Sequence, residues 1–313
     1  MKRTLITLAL TLLACVAPPT TAAAAEAGGP THKLNVITTT SDLASITQEV
    51  GGDRVTVTSI ARGYQDPHFV EPKPSFLLLL KDADLLEVIG LDLEIGWLPP
   101  LIDQSRNPKI HRGAAGYLDV SRGVEILDRP QGEVNRSMGD VHPLGNPHYW
   151  LDPANAVRIA MQVEKKLEEL QPADAAFFQT RLNTFKSRMN DADKRWRAAL
   201  APFKGAKVIT YHNSWPNFMR RYGLNVAGYV EPKPGVPPSP SHTFELINLI
   251  KQQSVKVILM EPYFDHKTPQ SIADRTGAKL VVLYPSVGGA KSGTDDYFSL
   301  MDINVAALVK ALQ

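Results

Sequence analysis

The chain has 313 residues, with 34 lysines and arginines against 32 aspartates and glutamates, a formal net charge of +2. That balance argues against a nucleic-acid binder dominated by phosphate contacts. The single cysteine, Cys15, allows no internal disulfide and no thiolate cluster, so any metal must be held by imidazole and carboxylate.

In chain order, Lys2 and Arg3 lead into an apolar run from Leu5 to Ala14, and Ala22 to Ala25 offer small-residue cleavage sites. This is the layout of a secretory signal peptide, expected over residues 1–25. Leu12-Leu13-Ala14-Cys15 also resembles a lipoprotein box; Leu13 sits where such boxes hold a smaller residue, which favours ordinary cleavage over lipid anchoring at Cys15. Either route places the protein outside the cytoplasmic membrane, in the periplasm. No later apolar run is long enough to cross a bilayer.

The remaining chain alternates short β-branched runs with helical stretches, which reads as βαβ units and a mostly parallel sheet. Strands are expected at 34–39, 54–59 and 84–89, with helices at 41–50, near 74–83 and near 92–105. Residues 122–147 carry Gly, Pro and polar residues without a sustained period and are expected to form a long loop. Asp152-Pro153 then opens a helix with an N-cap aspartate and proline at its first position, ending before Pro172.

The next helix is the longest. Phe178, Leu182, Phe185, Met189, Ala192, Trp196 and Leu200 recur every three or four residues and form one apolar stripe. Spanning 173–201, it is expected to be a rigid connector between an N-terminal α/β lobe (31–172) and a C-terminal one (205–313). In the second lobe, strands are expected at 206–210, 224–230, 256–261 and 279–283, and helices at 214–222, 242–253, from Thr268 and from about 295 to 311. Glu71-Pro72-Lys73-Pro74 and Glu231-Pro232-Lys233-Pro234 form a thin internal echo.

The histidines carry the chemistry. There are eight: His32, His68, His111, His142, His148, His212, His242 and His266. His68, His148 and His212 each precede a helix, and two of them fit strand exits. Ligands of open α/β sheets sit outside the carboxyl ends of the strands, so these three are expected to converge between the lobes.

The segments around them resemble the zinc/manganese ABC-transporter solute-binding protein family. Asp66 to Ser75 matches the stretch around that family's first histidine, with one extra residue before the serine. Asn146 to Pro153 matches Asn-Pro-His-x-Trp-x-Asp-Pro around the second, and Tyr211 to Trp215 matches Tyr-His-x-x-(Trp/Phe) around the third. The resemblance extends over the mature chain and implies two lobes joined by one long helix. It implies Zn(II) carried as ligand by a monomer to an ABC permease, with no catalysis.

Two departures matter. Where relatives carry an acidic fourth ligand, this chain reads Tyr284-Pro285-Ser286. The fourth position is therefore open to water, to Glu261 (the preferred protein group, with a supporting role behind an imidazole as the alternative) or to the Asp295-Asp296 region. The loop at 122–147 also lacks the His- and acid-rich run of zinc-handling relatives, holding Asp140 and His142 only. His142 is expected to be solvent-exposed with at most a transient contact. Three imidazoles suit Zn(II) better than the oxygen-preferring Mn(II), and manganese members of the family typically replace the third histidine by glutamate. Two other functions stay open: a zinc hydrolase using the same three histidines and a bound water, and a metal-binding surface adhesin. Against the hydrolase, there is no His-Glu-x-x-His pair, and Glu261 is the only general base to name.

Overall fold

The computed structural model describes residues 32–132, 134, 135, 138, 139 and 141–313. The expected signal peptide, Cys15 and Asp140 lie outside the described residues. Two four-stranded, all-parallel sheets hold the chain together. The first is built from β1 (Leu34–Thr38), β2 (Val55–Ser59), β3 (Leu85–Val88) and β4 (Tyr117–Asp119) in the order β2-β1-β3-β4. Its helices are α1 (Ser41–Gly51), α2 (Pro74–Lys81), α3 (Leu98–Ser105) and α4 (Pro153–Leu170). α5 (Ala175–Leu200) follows. The second sheet repeats the order as β6-β5-β7-β8, from β5 (Lys207–Thr210), β6 (Asn225–Tyr229), β7 (Val257–Met260) and β8 (Lys279–Val282). Its helices are α6 (Pro216–Tyr222), α7 (Pro240–Gln253), α8 (Lys267–Thr276) and α9 (Tyr297–Leu312).

Each order makes the chain reverse direction between its first and third strands. Connections leave that crevice on opposite sides, so the carboxyl ends of β1 and β3, and of β5 and β7, border open space rather than a crossing loop. The α/β reading of two parallel sheets is therefore the observed fold. Two details differ. β4 is three residues long, too short to show a period, and its pairing with β3 defines it. The helix expected near 92–105 begins only at Leu98, because Gly90, Leu91 and Asp92 all have positive φ (75°, 54° and 64°) and turn the chain sharply as it leaves β3. For the non-glycine pair this is an uncommon conformation that surrounding contacts must enforce.

α5 spans 26 residues and buries the stripe expected of it, Phe178, Leu182, Phe185, Met189, Ala192, Trp196 and Leu200. At 1.5 Å per residue it is about 39 Å long. It packs on α1 and α4 on one side and on α9 on the other. The largest apolar cluster is continuous across it, joining Val36, Leu43 and Trp150 to Val208, Leu259 and Leu308. Each sheet also has its own outer cluster, around Leu80 and Leu86 in the first and around Ile247 and Ile258 in the second. The inner faces of both sheets thus share one core, which restrains the lobes as a unit.

Polar contacts between the lobes point the same way. The Ser41 hydroxyl donates to the Val287 carbonyl (2.6 Å), and the Val287 N–H donates to Asp42 (3.1 Å). The Trp150 indole donates to the Pro285 carbonyl (2.8 Å) and the Tyr297 hydroxyl to the Trp150 carbonyl (2.5 Å). Gly63 crosses so close to the second lobe that a Cβ there would lie 1.9 Å from the Val287 carbonyl oxygen.

Candidate metal centre

The two first-lobe histidines are placed by one local device. In Asp66-Pro67-His68, Asp66 Oδ1 accepts from the His68 backbone N–H (3.0 Å) and from its ring Nδ1 (2.7 Å). In Asn146-Pro147-His148, Asn146 Oδ1 accepts from the His148 N–H (2.9 Å) and Nδ1 (3.0 Å). Asp and Asn side chains readily close such turns over two residues, and the intervening proline fixes φ. An Asx-Pro-His triplet therefore selects a ring orientation within three residues of sequence, with Nδ1 tied back and Nε2 aimed forward. Asn146 also donates to the Asn213 carbonyl (2.8 Å), which docks this turn onto the second lobe beside His212.

His212 is oriented differently. It leaves β5 two residues past Thr210, and its Nδ1 is 2.8 Å from Glu231 Oε2. Glu231 leaves β6, the neighbour of β5, and the pairing continues past both strand ends: the Glu231 N–H donates to the Tyr211 carbonyl at 3.1 Å. Glu231 is buried, and it was not among the sequence candidates. Its one signal was the Glu-Pro-Lys-Pro echo. The counterpart Glu71 is exposed and plays no matching part.

The three rings meet. Centroid separations are 5.1 Å for His68–His148, 5.4 Å for His68–His212 and 5.4 Å for His148–His212, close to an equilateral triangle. One nitrogen of each lies within 4.8 Å of the others, and among the described residues this is the one group of three or more ligand-type side chains so arranged. His148 is 2 % and His212 6 % exposed. His148 Nε2 is buried without a hydrogen-bond partner in the protein. A buried imidazole nitrogen with a free lone pair is costly unless something binds it, and a cation satisfies it directly.

Electrostatics separate the three. Burial, reinforced by the charges of His68, His212 and His142, holds His148 well below the usual imidazole range, in the neutral form that ligates metal. Burial also disfavours the charged form of His212. There the hydrogen bond to Glu231, with the charges of Glu261, Glu231 and Asp66, outweighs it and raises the pKa. Burial would raise Asp66, but its hydrogen bond and attraction to His68 prevail and hold it below the ordinary carboxylate value.

Glu261 stands apart from the group of three. It follows β7 directly, is fully buried, and its Oε1 accepts from the Trp215 indole (2.9 Å) while Oε2 has no partner. Burial pushes it up to about 7, against the opposing influence of His212, Ser214 and Trp215. Trp215, Tyr149 and Trp150 are themselves fully buried. The aromatic neighbours are thus core, and they form the dry floor on which the histidines stand.

His142 departs from expectation. It is half-buried, and its Nε2 lies 3.1 Å from His68 Nε2. Burial, with the charges of His68 and His212, lowers its pKa to about 3. It lines a cavity of about 70 Å³ together with Asp128, Asn146, His148, His212 and Asn213. His242, by contrast, is held at the entry to α7 with Nε2 2.9 Å from the Tyr229 carbonyl oxygen.

Removing the carboxylate behind His212 has a measurable expected consequence. Partners of ligating imidazoles typically contribute 10–100-fold in metal affinity, so Glu231→Ala is expected to weaken metal binding at the three histidines by about that factor, read by competition against a chelating dye.

Three comparisons with known proteins bear on the site. The family model described as "ZnuA: Zinc-uptake complex component A periplasmic" matches residues 36–311. The high-affinity zinc uptake system protein ZnuA of Bacillus subtilis (strain 168) is 24% identical over 307 residues, covering 96% of this chain and 94% of the relative. The manganese ABC transporter substrate-binding lipoprotein PsaA of Streptococcus pneumoniae is 26% identical over 287 residues, covering 90% and 89%. Among solved structures, a crystal structure of ZnuA superposes with a TM-score of 0.75 at 25% identity, covering 90% of this chain and all of that one.

Proposed function

The chain belongs to the ZnuA family of periplasmic zinc-uptake components, and from that premise we propose that it binds Zn(II) outside the cytoplasmic membrane and delivers it, as a monomer, to an ABC permease. The observation that carries the reading is the shared orientation of His68, His148 and His212. Each Nδ1 is tied to a side-chain oxygen, and the three imidazoles form one small triangle. Such a site is preorganised: the tautomer and the direction of each ring are chosen before the metal arrives. His68, His148 and His212 are the metal ligands in this reading. Glu261, bonded to Trp215 behind His212, supports the site electrostatically and supplies no ligand oxygen.

Relatives are named for zinc and for manganese, so the choice of metal rests on this chain's own donors. Nitrogen-rich sites favour Zn(II), whereas Mn(II) prefers oxygen. The carboxylates nearest the rings, Asp66 and Glu231, are engaged with Nδ1 atoms and so act on the metal only through an imidazole.

A hydrolase would need a base within reach of a metal-bound water. Glu261 is the candidate, and it lies fully buried under Trp215. Carriage of the metal therefore fits the site better than turnover. Among the described residues no helix is long and apolar enough to cross a membrane, which accords with a carrier that hands its cargo to a separate permease.

The test is metal analysis of the purified chain, followed by parallel competition titrations with Zn(II) and Mn(II). Zinc is expected to bind at least about 100-fold more tightly, in line with the donor preferences and the Irving–Williams order. Equal affinity, or a preference for manganese, would overturn the assignment.

A further inference from the structure

We propose that His142, the lone histidine of the long loop, is the fourth ligand, completing an all-imidazole zinc site. This rests on the three-histidine reading above and adds the group that closes it. Two nitrogens bound at about 2.0–2.1 Å to one tetrahedral zinc lie about 3.4 Å apart. His142 Nε2 and His68 Nε2 are 3.1 Å apart, so this pair already stands at ligand-to-ligand spacing. The ring centroids, 5.2 Å apart, match the separations within the triangle of His68, His148 and His212.

Placement supports the same conclusion. His142 shares the small cavity of about 70 Å³ with His148 and His212, and lines a second one with His68 and Phe69. It bridges the two openings onto the rings. Its ring lies beside the backbone of Leu91, and Leu91 belongs to the left-handed turn that leaves β3. That turn is a constrained piece of the first lobe, and it sets scaffold beside the loop histidine. The segment Tyr284-Pro285-Ser286 brings no carboxylate, and the Pro285 carbonyl is occupied by the Trp150 indole.

Proton placement is consistent with this role. With Nδ1–H of His68 donating to Asp66, His68 Nε2 is an acceptor, and His142 must present Nε2–H to it in the metal-free protein. Zinc replaces that proton. His142 then ligates through Nε2 as a neutral ring: its proton is handed to solvent and one is taken up at Nδ1, with no net release. Zinc thus takes up the His68 Nε2 lone pair that the hydrogen bond used and the His142 Nε2 lone pair that the tautomer shift frees. His142 stands outside the group whose ligand atoms all lie within 4.8 Å of one another, so it must move towards His148 and His212 to complete the tetrahedron.

X-ray absorption of the zinc-loaded full chain, with zinc competition titrations, tests the assignment in wild type, His142→Ala, His142→Gln and His148→Ala. Expected are four imidazoles on zinc in wild type, three plus an oxygen in both His142 variants, and a 10- to 100-fold weaker Kd in them. Three imidazoles in wild type overturn the proposal, as do four that persist in the His142 variants. The His148→Ala arm separates the two readings: normal zinc binding there would sink the three-histidine site itself, whatever His142 does.

Discussion

Zinc binding by His148→Ala is expected to fall by at least about a thousandfold, or about 4 kcal/mol at 1.4 kcal/mol per decade. His148 is the most buried of the three rings, and its Nε2 has no partner in the protein. Truncation to Ala removes a ligand at the floor of the site, where a replacement water would have to sit over Tyr149 and Trp150. The metal-free fold loses the buried ring and its Nδ1 contact to Asn146 as well, so the stability cost of the change must be separated from the loss of metal. A thermal melt separates the two effects. Zinc at 100 times its Kd stabilises the native state by about 2.7 kcal/mol, and the variant should lose that increment relative to its own metal-free melting temperature. His242→Ala is the matched control, since the His242 ring is engaged with the Tyr229 carbonyl at the entry to α7; its zinc affinity should equal wild type. A His148→Ala protein that kept the zinc-dependent melting shift would show that the metal sits elsewhere.

Zinc affinity is also expected to collapse on acidification, with protonation of His212 contributing to the loss. A ligating imidazole must be neutral, so protons compete with metal at each ring. His212 has a raised pKa, from Glu231 and the nearby carboxylates acting against burial, so this competition begins above the ordinary value of 6.5. Each pH unit below its pKa costs about tenfold in affinity through that ligand alone. His148, held well below 6.5, stays neutral across the same range and adds no slope. For the metal-free fold the two rings act oppositely. His212 contributes stability that is fully present below the unfolded pKa and lost as pH rises through its folded pKa. His148 costs stability as pH falls below 6.5, where the unfolded chain takes up a proton that the folded one refuses. The clean readout is therefore the zinc Kd between pH 5 and 7.5, not a melting curve. Glu231→Gln should shift the acid limb to lower pH by removing the charge that favours protonated His212. An unshifted limb would mean that another group sets it.

Much of the site was written locally. Asx-Pro-His is a three-residue instruction: the aspartate or asparagine oxygen captures both the backbone N–H and the ring Nδ1 of the histidine two residues on. The orientations of His68 and His148 follow from neighbours in sequence. The parallel sheets and the long connecting helix were legible for a similar reason, since strand alternation and a stripe at intervals of three and four are short-range patterns. The same local logic missed where α3 begins, because Gly90 and Asp92 accept positive φ readily but Leu91 between them does not, so the left-handed run carries no clear local signal.

The sequence by itself determined which residue types could ligate and which way two of the three rings must face. Only the tertiary structure decided who stands behind and beside them. Glu231 reaches His212 because β5 and β6 pair across a crossover, and Glu261 is drawn down onto Trp215 because β7 ends beneath the site. His142, in a loop with no periodic signal, meets His68 across 74 residues of chain. Such contacts depend on strand order and loop closure, which no window of neighbouring residues encodes.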